Sequence, residues 1–135
     1  MTQARTFYEA IGGDAVLRRL VHRFYQVMDS EPRAAGIRAM HQPDLAEAEE
    51  KLYLFLSGWM GGPPLYVEKY GHPMLRARHL PFAIGESERD QWIYCMVRAM
   101  HDIGIEEKLM LQLANALWGV ADFMRNQPEV EQKPA

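Results

Sequence analysis

The chain predicts an all-α domain, and three observations carry that reading. In four stretches the apolar residues recur at intervals of three and four, the period of one helix face. Nowhere do apolar and polar residues alternate for long enough to make a strand. Gly12-Gly13, Gly61-Gly62-Pro63-Pro64 and Gly104 break the chain where these stretches end. No internal repeat is present, and 135 residues suit one domain that buries roughly 65 to 70% of the surface exposed by its unfolded form. That domain is expected to span residues 1–127, with 128–135 as a flexible tail.

The first helix is predicted from Arg5 to about Ile11, where Gly12 relieves the steric cost of a left-handed turn. The second begins near Asp14, with Leu17, Leu20, Val21, Phe24 and Met28 on one face and Tyr25 beside them, and Pro32 limits it. Pro43 suits the first turn of a third, where Asp44 and Glu47 favour the positive end of the dipole. Its stripe is Leu45, Ala48, Leu52, Phe55, Leu56 and Trp59. From Gly61 to Glu86, four prolines and four glycines leave room for one short helical segment near Met74 to Leu80. Ser87, followed by Asp90, is expected to cap a helix that buries Trp92, Cys95, Met96, Ala99, Met100 and Ile103. The last helix runs from about Glu106 to Arg125 on Leu109, Leu113, Ala116, Leu117, Val120 and Met124.

Composition excludes several functions. With 48% apolar and 24% charged residues the chain is globular rather than disordered. A net charge of -3, with cations scattered among anions, lacks the basic stripe that nucleic-acid binding needs. Cys95 is the only cysteine, so neither an internal disulfide nor a multi-cysteine zinc site is available, and a reducing, cytoplasmic setting is expected. The longest nearly apolar run, Leu52 to Met60, is half of what a bilayer span needs. The opening "MTQARTFYEA" has no apolar core for a signal peptide, so no membrane partner is expected.

The densest cationic cluster lies in the irregular stretch "YGHPMLRARHLPFAIG", Tyr70 to Gly85. Taken alone, His79 reads as a surface or hydrogen-bonded histidine. Its setting adds more: Pro81 ends any helix just after it, Leu80 and Phe82 beside it are apolar, and no second ligand lies at a chelating spacing. One imidazole holds a bare Zn²⁺ poorly but suffices for iron already held by four porphyrin nitrogens. A haem also gives the cations a purpose, because its two propionates need neutralising at a pocket rim. Arg76, Arg78, Lys51 and Tyr66 are the candidates for that role. His72 reads as structural or as a propionate neighbour, since Pro73 fixes the chain after it. Cys95 reads as a small core residue, and most methionines fill core gaps, with Met96 a candidate porphyrin contact. His22 and His101 read as solvent-facing.

The stretches "YEAIGGDAVLRRLVHRFYQ", "AEEKLYLFLSGWMGGPPLY", "GHPMLRARHLPFAIG" and "ERDQWIYCM" together resemble the truncated haemoglobins, specifically their group II. The resemblance implies a two-over-two helical sandwich around haem b, with His79 as proximal iron ligand and Phe82 beside it. It implies that Tyr25 and Trp92 are distal polar residues, Ala48 the small residue at the distal gate, and Leu52 and Phe55 apolar lining. His41 falls at the pocket corner where that family usually carries phenylalanine or tyrosine.

Donors aimed at bound oxygen slow its release. Tyr25 brings an O–H, Trp92 an indole N–H and His41 a donor or acceptor, a set better suited to redox chemistry of small diatomics than to delivery. The implied ligands are oxygen, nitric oxide and carbon monoxide, with nitric-oxide dioxygenase or peroxidase-like turnover. No flavin or nicotinamide fingerprint exists in the chain, so a separate reductase is implied, and both monomer and homodimer remain open. Two other readings stand beside this one: a gas sensor or storage module without turnover, and a haem-free bundle holding an apolar molecule.

Overall fold

The computed structural model describes residues 5–128, and the four long stripes fold there as the four long helices. Helix α1, Phe7–Ile11, starts two residues later than its pattern suggested because the Thr6 hydroxyl accepts the Glu9 N–H (3.1 Å). Helix α2 is Asp14–Ser30. A short 3-10 turn, Pro32–Ala34, and α3, Ala35–Ala39, follow where no helix was expected, each too short to show a period. Helix α4, Ala46–Trp59, begins after Pro43 rather than around it, and Asp44 Oδ1 accepts the Ala46 N–H at 2.9 Å.

The region from Gly61 to Glu86 holds two short helices rather than one: α5, Leu65–Tyr70, and α6, Leu75–His79. Helix α7, Glu86–Asp102, is not capped by Ser87 and Asp90. The same spacing two residues upstream does the work: the Gly85 N–H donates to Glu88 Oε1 at 2.7 Å, while Ser87 Oγ accepts from Gln91 (3.0 Å) and Asp90 pairs with Arg89 (2.9 Å). Helix α8 is Glu107–Phe123. The predicted tail falls almost wholly in 129–135, outside the described residues.

Helices α2 and α4 pack together, α7 and α8 pack together, and α2 crosses α7, giving two helix pairs one over the other. Their meeting surface is the predicted one. Leu17, Leu20, Phe24 and Met28 of α2 are fully buried against Met96, Ala99 and Met100 of α7 and Leu113 and Leu117 of α8. Each such large side chain contributes about 1.5–3 kcal/mol over its exposed state. Cys95 is wholly inside this layer, and burial pushes its thiol up to about 11, so it stays protonated and inert. The Gly61-Gly62 pair stops α4 where α1 crosses it: the Tyr8 N–H donates to Met60 C=O (2.9 Å), and a Cβ on Gly62 would overlap the Tyr8 ring.

Two polar contacts join α2 to α4: His22 Nδ1 lies 2.7 Å from Glu49 Oε1, and a clamp forms around Asp14. The Tyr53 hydroxyl donates to the Asp14 carboxylate, which also accepts from Arg18 (3.2 Å), and the Arg18 guanidinium lies 4.0 Å over the Tyr53 ring. The Tyr53 hydrogen bond first, and Arg18 after it, hold Asp14 below the ordinary carboxylate value. Arg23 and Arg98 do the same for Asp102, as do Arg89 and Arg125 for Asp122. With lowered pKa values in the folded state, the unfolded chain binds more protons across this window. The stabilisation is therefore full above the ordinary carboxylate value of about 4 and is lost as pH falls through the lowered ones. Tyr53→Phe is expected to lower stability by about 0.5–1.5 kcal/mol at neutral pH and by less at pH ~3. Urea unfolding at both values checks it, and an equal loss at both would remove Asp14 from the explanation.

Candidate haem site

A cavity of about 590 Å³ opens between the two helix pairs, within the roughly 300–1,000 Å³ typical of small-molecule and cofactor pockets. Its walls gather Tyr25 from α2, His41 from the corner after α3, and Ala48, Lys51, Leu52 and Phe55 from α4. Tyr66 of α5, Arg78 and His79 of α6, Phe82 of the following loop and Trp92 of α7 also line it, leaving only Arg76, His72 and Met96 of the predicted residues outside. Residues more than fifty positions apart thus face one space.

His79 ends α6 because Pro81 forbids another turn. Its Nδ1 lies 2.6 Å from the Leu75 carbonyl oxygen, which can only accept. The ring proton therefore sits on Nδ1, and the lone pair on Nε2 is left for a metal. Among the described residues no group of three His, Cys, Asp or Glu side chains could hold a metal ion alone. This donor set would fit iron whose remaining protein-independent ligands are the four nitrogens of a porphyrin. His41 has the same arrangement: its Nδ1–H donates to Ile37 C=O at 2.8 Å. In its neutral form His41 thus presents an acceptor, not the donor the sequence left open.

Tyr25, Phe24, Trp92 and His41 form a row. The Phe24 ring is 5.0 Å from Tyr25, edge-on, and 5.2 Å from Trp92, and the His41 ring is 5.9 Å from Tyr25. Fully buried Phe24 therefore wedges both donors in place. Burial pushes the Tyr25 hydroxyl well above its ordinary value, so it keeps its proton and has an O–H available to donate. No buried side-chain nitrogen or oxygen lacks a partner among the described residues.

The cations are disposed less simply than their sequence suggests. Arg78 Nε donates to Pro73 C=O at 2.7 Å and its guanidinium lies 6.0 Å from the Tyr66 ring centre, so its outer nitrogens remain at the cavity wall. Lys51 Nζ pairs with Glu47 Oε1 at 2.9 Å, which holds the ammonium above its ordinary value and leaves it charged at the rim. Arg76, His72 and Met96 do not line the cavity. Arg76 Nη2 donates to Arg125 C=O at 3.3 Å and its guanidinium lies 5.9 Å from the Phe123 ring, which turns it towards the end of α8. His72 Nδ1 accepts the Met74 N–H at 3.1 Å, supporting a left-handed residue (φ 49°) at the entry to α6. Met96, one turn beyond Trp92, lies wholly in the core.

Several wall residues had no signal in the chain's periodicity. Ile84 and Ala121 join the cavity from the Tyr70–Gly85 stretch and from α8, beside Val120 and Met124 of the predicted last stripe, and Glu88 and Arg89 bring charge from α7. Arg89 pairs with Asp122 at 2.8 Å, tying α7 to α8. Gln91 Oε1 accepts the Ile37 N–H at 3.0 Å beside Gly36, where a Cβ would come within 2.9 Å of the Gln91 amide. That close approach fixes the corner bearing His41.

The family model for bacterial-like globins matches residues 6–126 of this chain. The group 2 truncated haemoglobin YjbI of Bacillus subtilis is 43% identical over 126 residues, covering 93% of this chain and 92% of that protein. The chain belongs to the group II truncated haemoglobins. Among solved structures, the group II 2-on-2 haemoglobin of the plant pathogen Agrobacterium tumefaciens is 48% identical to this truncated haemoglobin, with a TM-score of 0.88 over 94% of this chain and 98% of that one. The truncated oxygen-avid haemoglobin of Bacillus subtilis is 42% identical, with a TM-score of 0.82 over 90% and 100%. The globin family implies haem and small gas ligands such as oxygen. Among the described residues no helix is long and apolar enough to cross a membrane.

Proposed function

We propose that this truncated haemoglobin holds haem b through His79 and serves redox chemistry of small gases, nitric oxide or peroxide, rather than bulk carriage of oxygen. When bound, the haem supplies an iron that takes diatomic ligands and exchanges electrons. The protein supplies the rest. His79 is oriented by its Nδ1–H bond to Leu75, which also raises the basicity of Nε2. Arg78, Lys51 and Tyr66 at the cavity wall neutralise and hold carboxylates. Leu52, Phe55 and Phe82 exclude water from a flat apolar body.

The observation that carries the redox reading is the pair of donors, Tyr25 and Trp92, set on one wall by Phe24. Two hydrogen bonds to a ligand with partial negative charge slow its departure and favour a meeting with a second reactant entering past Ala48. The description of the Bacillus subtilis relative as oxygen-avid supports slow release here too. Electrons come from a separate reductase, since the sequence has no flavin or nicotinamide fingerprint. Stopped-flow measurement of oxygen release, followed by nitric oxide consumption with a reductase and its nicotinamide donor, tests the proposal. Slow release with sustained consumption is expected; release as fast as that of a storage globin, without turnover, would refute it.

A further inference from the structure

The loop that carries His79 is tied to the segment after α8 by the side chain of Asn126, beside the longer Arg76 Nη2–Arg125 C=O contact of 3.3 Å. Asn126 Nδ2 donates to His79 C=O at 3.2 Å and to Phe82 C=O at 2.7 Å, and its Oδ1 accepts the Ile84 N–H at 2.9 Å. The Asn126 N–H donates back to Ile84 C=O at 2.8 Å. Both amide hydrogens and the amide oxygen are thus used on residues 79 to 84. The base of this tether is fixed as well: Asp122 accepts from Arg89 of α7 (2.8 Å) and from Arg125 (2.6 Å), one residue before Asn126.

Helix α6 cannot hold His79 by itself. It has five residues, which is below what sustains an isolated helix, and Pro81 prevents its continuation. The imidazole is fixed inside α6 by the Nδ1–H bond to Leu75, so it moves as α6 moves. What fixes α6 against the rest of the molecule at that end is the His79 carbonyl, shared between the Phe82 N–H (3.0 Å) within the loop and Asn126 from outside it. We infer that Asn126 is a positioning residue for the proximal histidine: it sets His79 Nε2 relative to the cavity through the loop backbone. This rests on the reading of His79 as the iron ligand. Groups one step removed from a metal ligand typically change metal affinity by about 10- to 100-fold when removed.

The test uses the full-length haem-loaded protein and three variants. Asn126→Asp keeps the acceptor for Ile84 and removes both donors. Asn126→Ala removes all three bonds. Tyr53→Phe weakens the α2–α4 clamp, away from the cavity, and controls for lost stability alone. The ferrous, ligand-free wild type is expected to give one sharp iron–histidine stretching band by resonance Raman. Both Asn126 variants are expected to shift or broaden it and to lose haem to excess apomyoglobin on the order of tenfold faster, equivalent to about 1.4 kcal/mol. Tyr53→Phe should lower the melting temperature and leave band and transfer rate unchanged.

A band and transfer rate unaltered in both Asn126 variants would overturn the inference while leaving His79 as ligand. A wild type without that band would overturn the His79 assignment and the inference with it. Should neither Asn126 variant fold, amide hydrogen exchange of the wild type decides. If tether and ligand are coupled, the coupling is reciprocal, and the Ile84 and Asn126 amides gain at least about tenfold protection when haem is added to the haem-free chain. Equal protection with and without haem would overturn the inference.

Discussion

A His79→Gly protein is expected to lose its haem absorption during gel filtration and to regain a ferrous spectrum close to that of the wild type when imidazole is added. Among the described residues, the ring it lacks is the one group from α6 in the cavity wall with a free nitrogen lone pair, since Leu75 C=O occupies Nδ1 and leaves Nε2. The glycine leaves room for a free imidazole to enter, but without the tether to α6, so rescue needs imidazole in excess. Haem affinity without it should fall at least a hundredfold, about 2.7 kcal/mol. The change is measured by haem transfer to apomyoglobin and by the Soret band at rising imidazole concentrations. Haem retained with an unchanged spectrum would mean that another side chain holds the iron. His41, the second histidine in the cavity wall, would then be the residue to replace next.

How far the sequence foretold this arrangement varies by element. Helices α2, α4, α7 and α8 were legible because each buries one face over several turns, and a period shows only over such lengths. Helices α3 and α5 are five and six residues long, too short for a period, and the prolines and glycines around α5 read as loop. In α7 the capping residues were misplaced by two positions because "GESERD" offers the same spacing twice, and only the Gln91 and Arg89 side chains decide between them. The cavity shows the same division. Tyr25, His79 and Trp92 stood out as residue types that bring chemistry to a recognisable motif. Asn126 follows the end of α8 with no pattern around it, and its partners lie over forty residues away. Met96 shares a helical stripe with Trp92, but one stripe can begin at a cavity and end inside a core, and periodicity does not mark where one becomes the other.

Replacing the two donors together is expected to have the largest effect on ligand kinetics. If each hydrogen bond contributes about 0.5–1.5 kcal/mol, Tyr25→Phe or Trp92→Phe alone should speed oxygen release about two- to twelvefold, and the pair about 5- to 150-fold. Strict additivity is not expected, because both rings rest on Phe24, so each loss lets the remaining donor shift. The cycle of both single variants and the double one, followed by laser photolysis and stopped flow, measures that coupling. His41 supplies an internal contrast. With Nδ1–H bound to Ile37, its neutral ring can only accept, so His41→Phe should leave release unchanged or slow it. Faster release in His41→Phe, on the scale of Tyr25→Phe, would show that His41 donates and that the tautomer fixed by Ile37 does not persist beside a ligand. Unchanged release in the double variant would place the donors away from the ligand and remove the basis for slow release and for the redox role built on it.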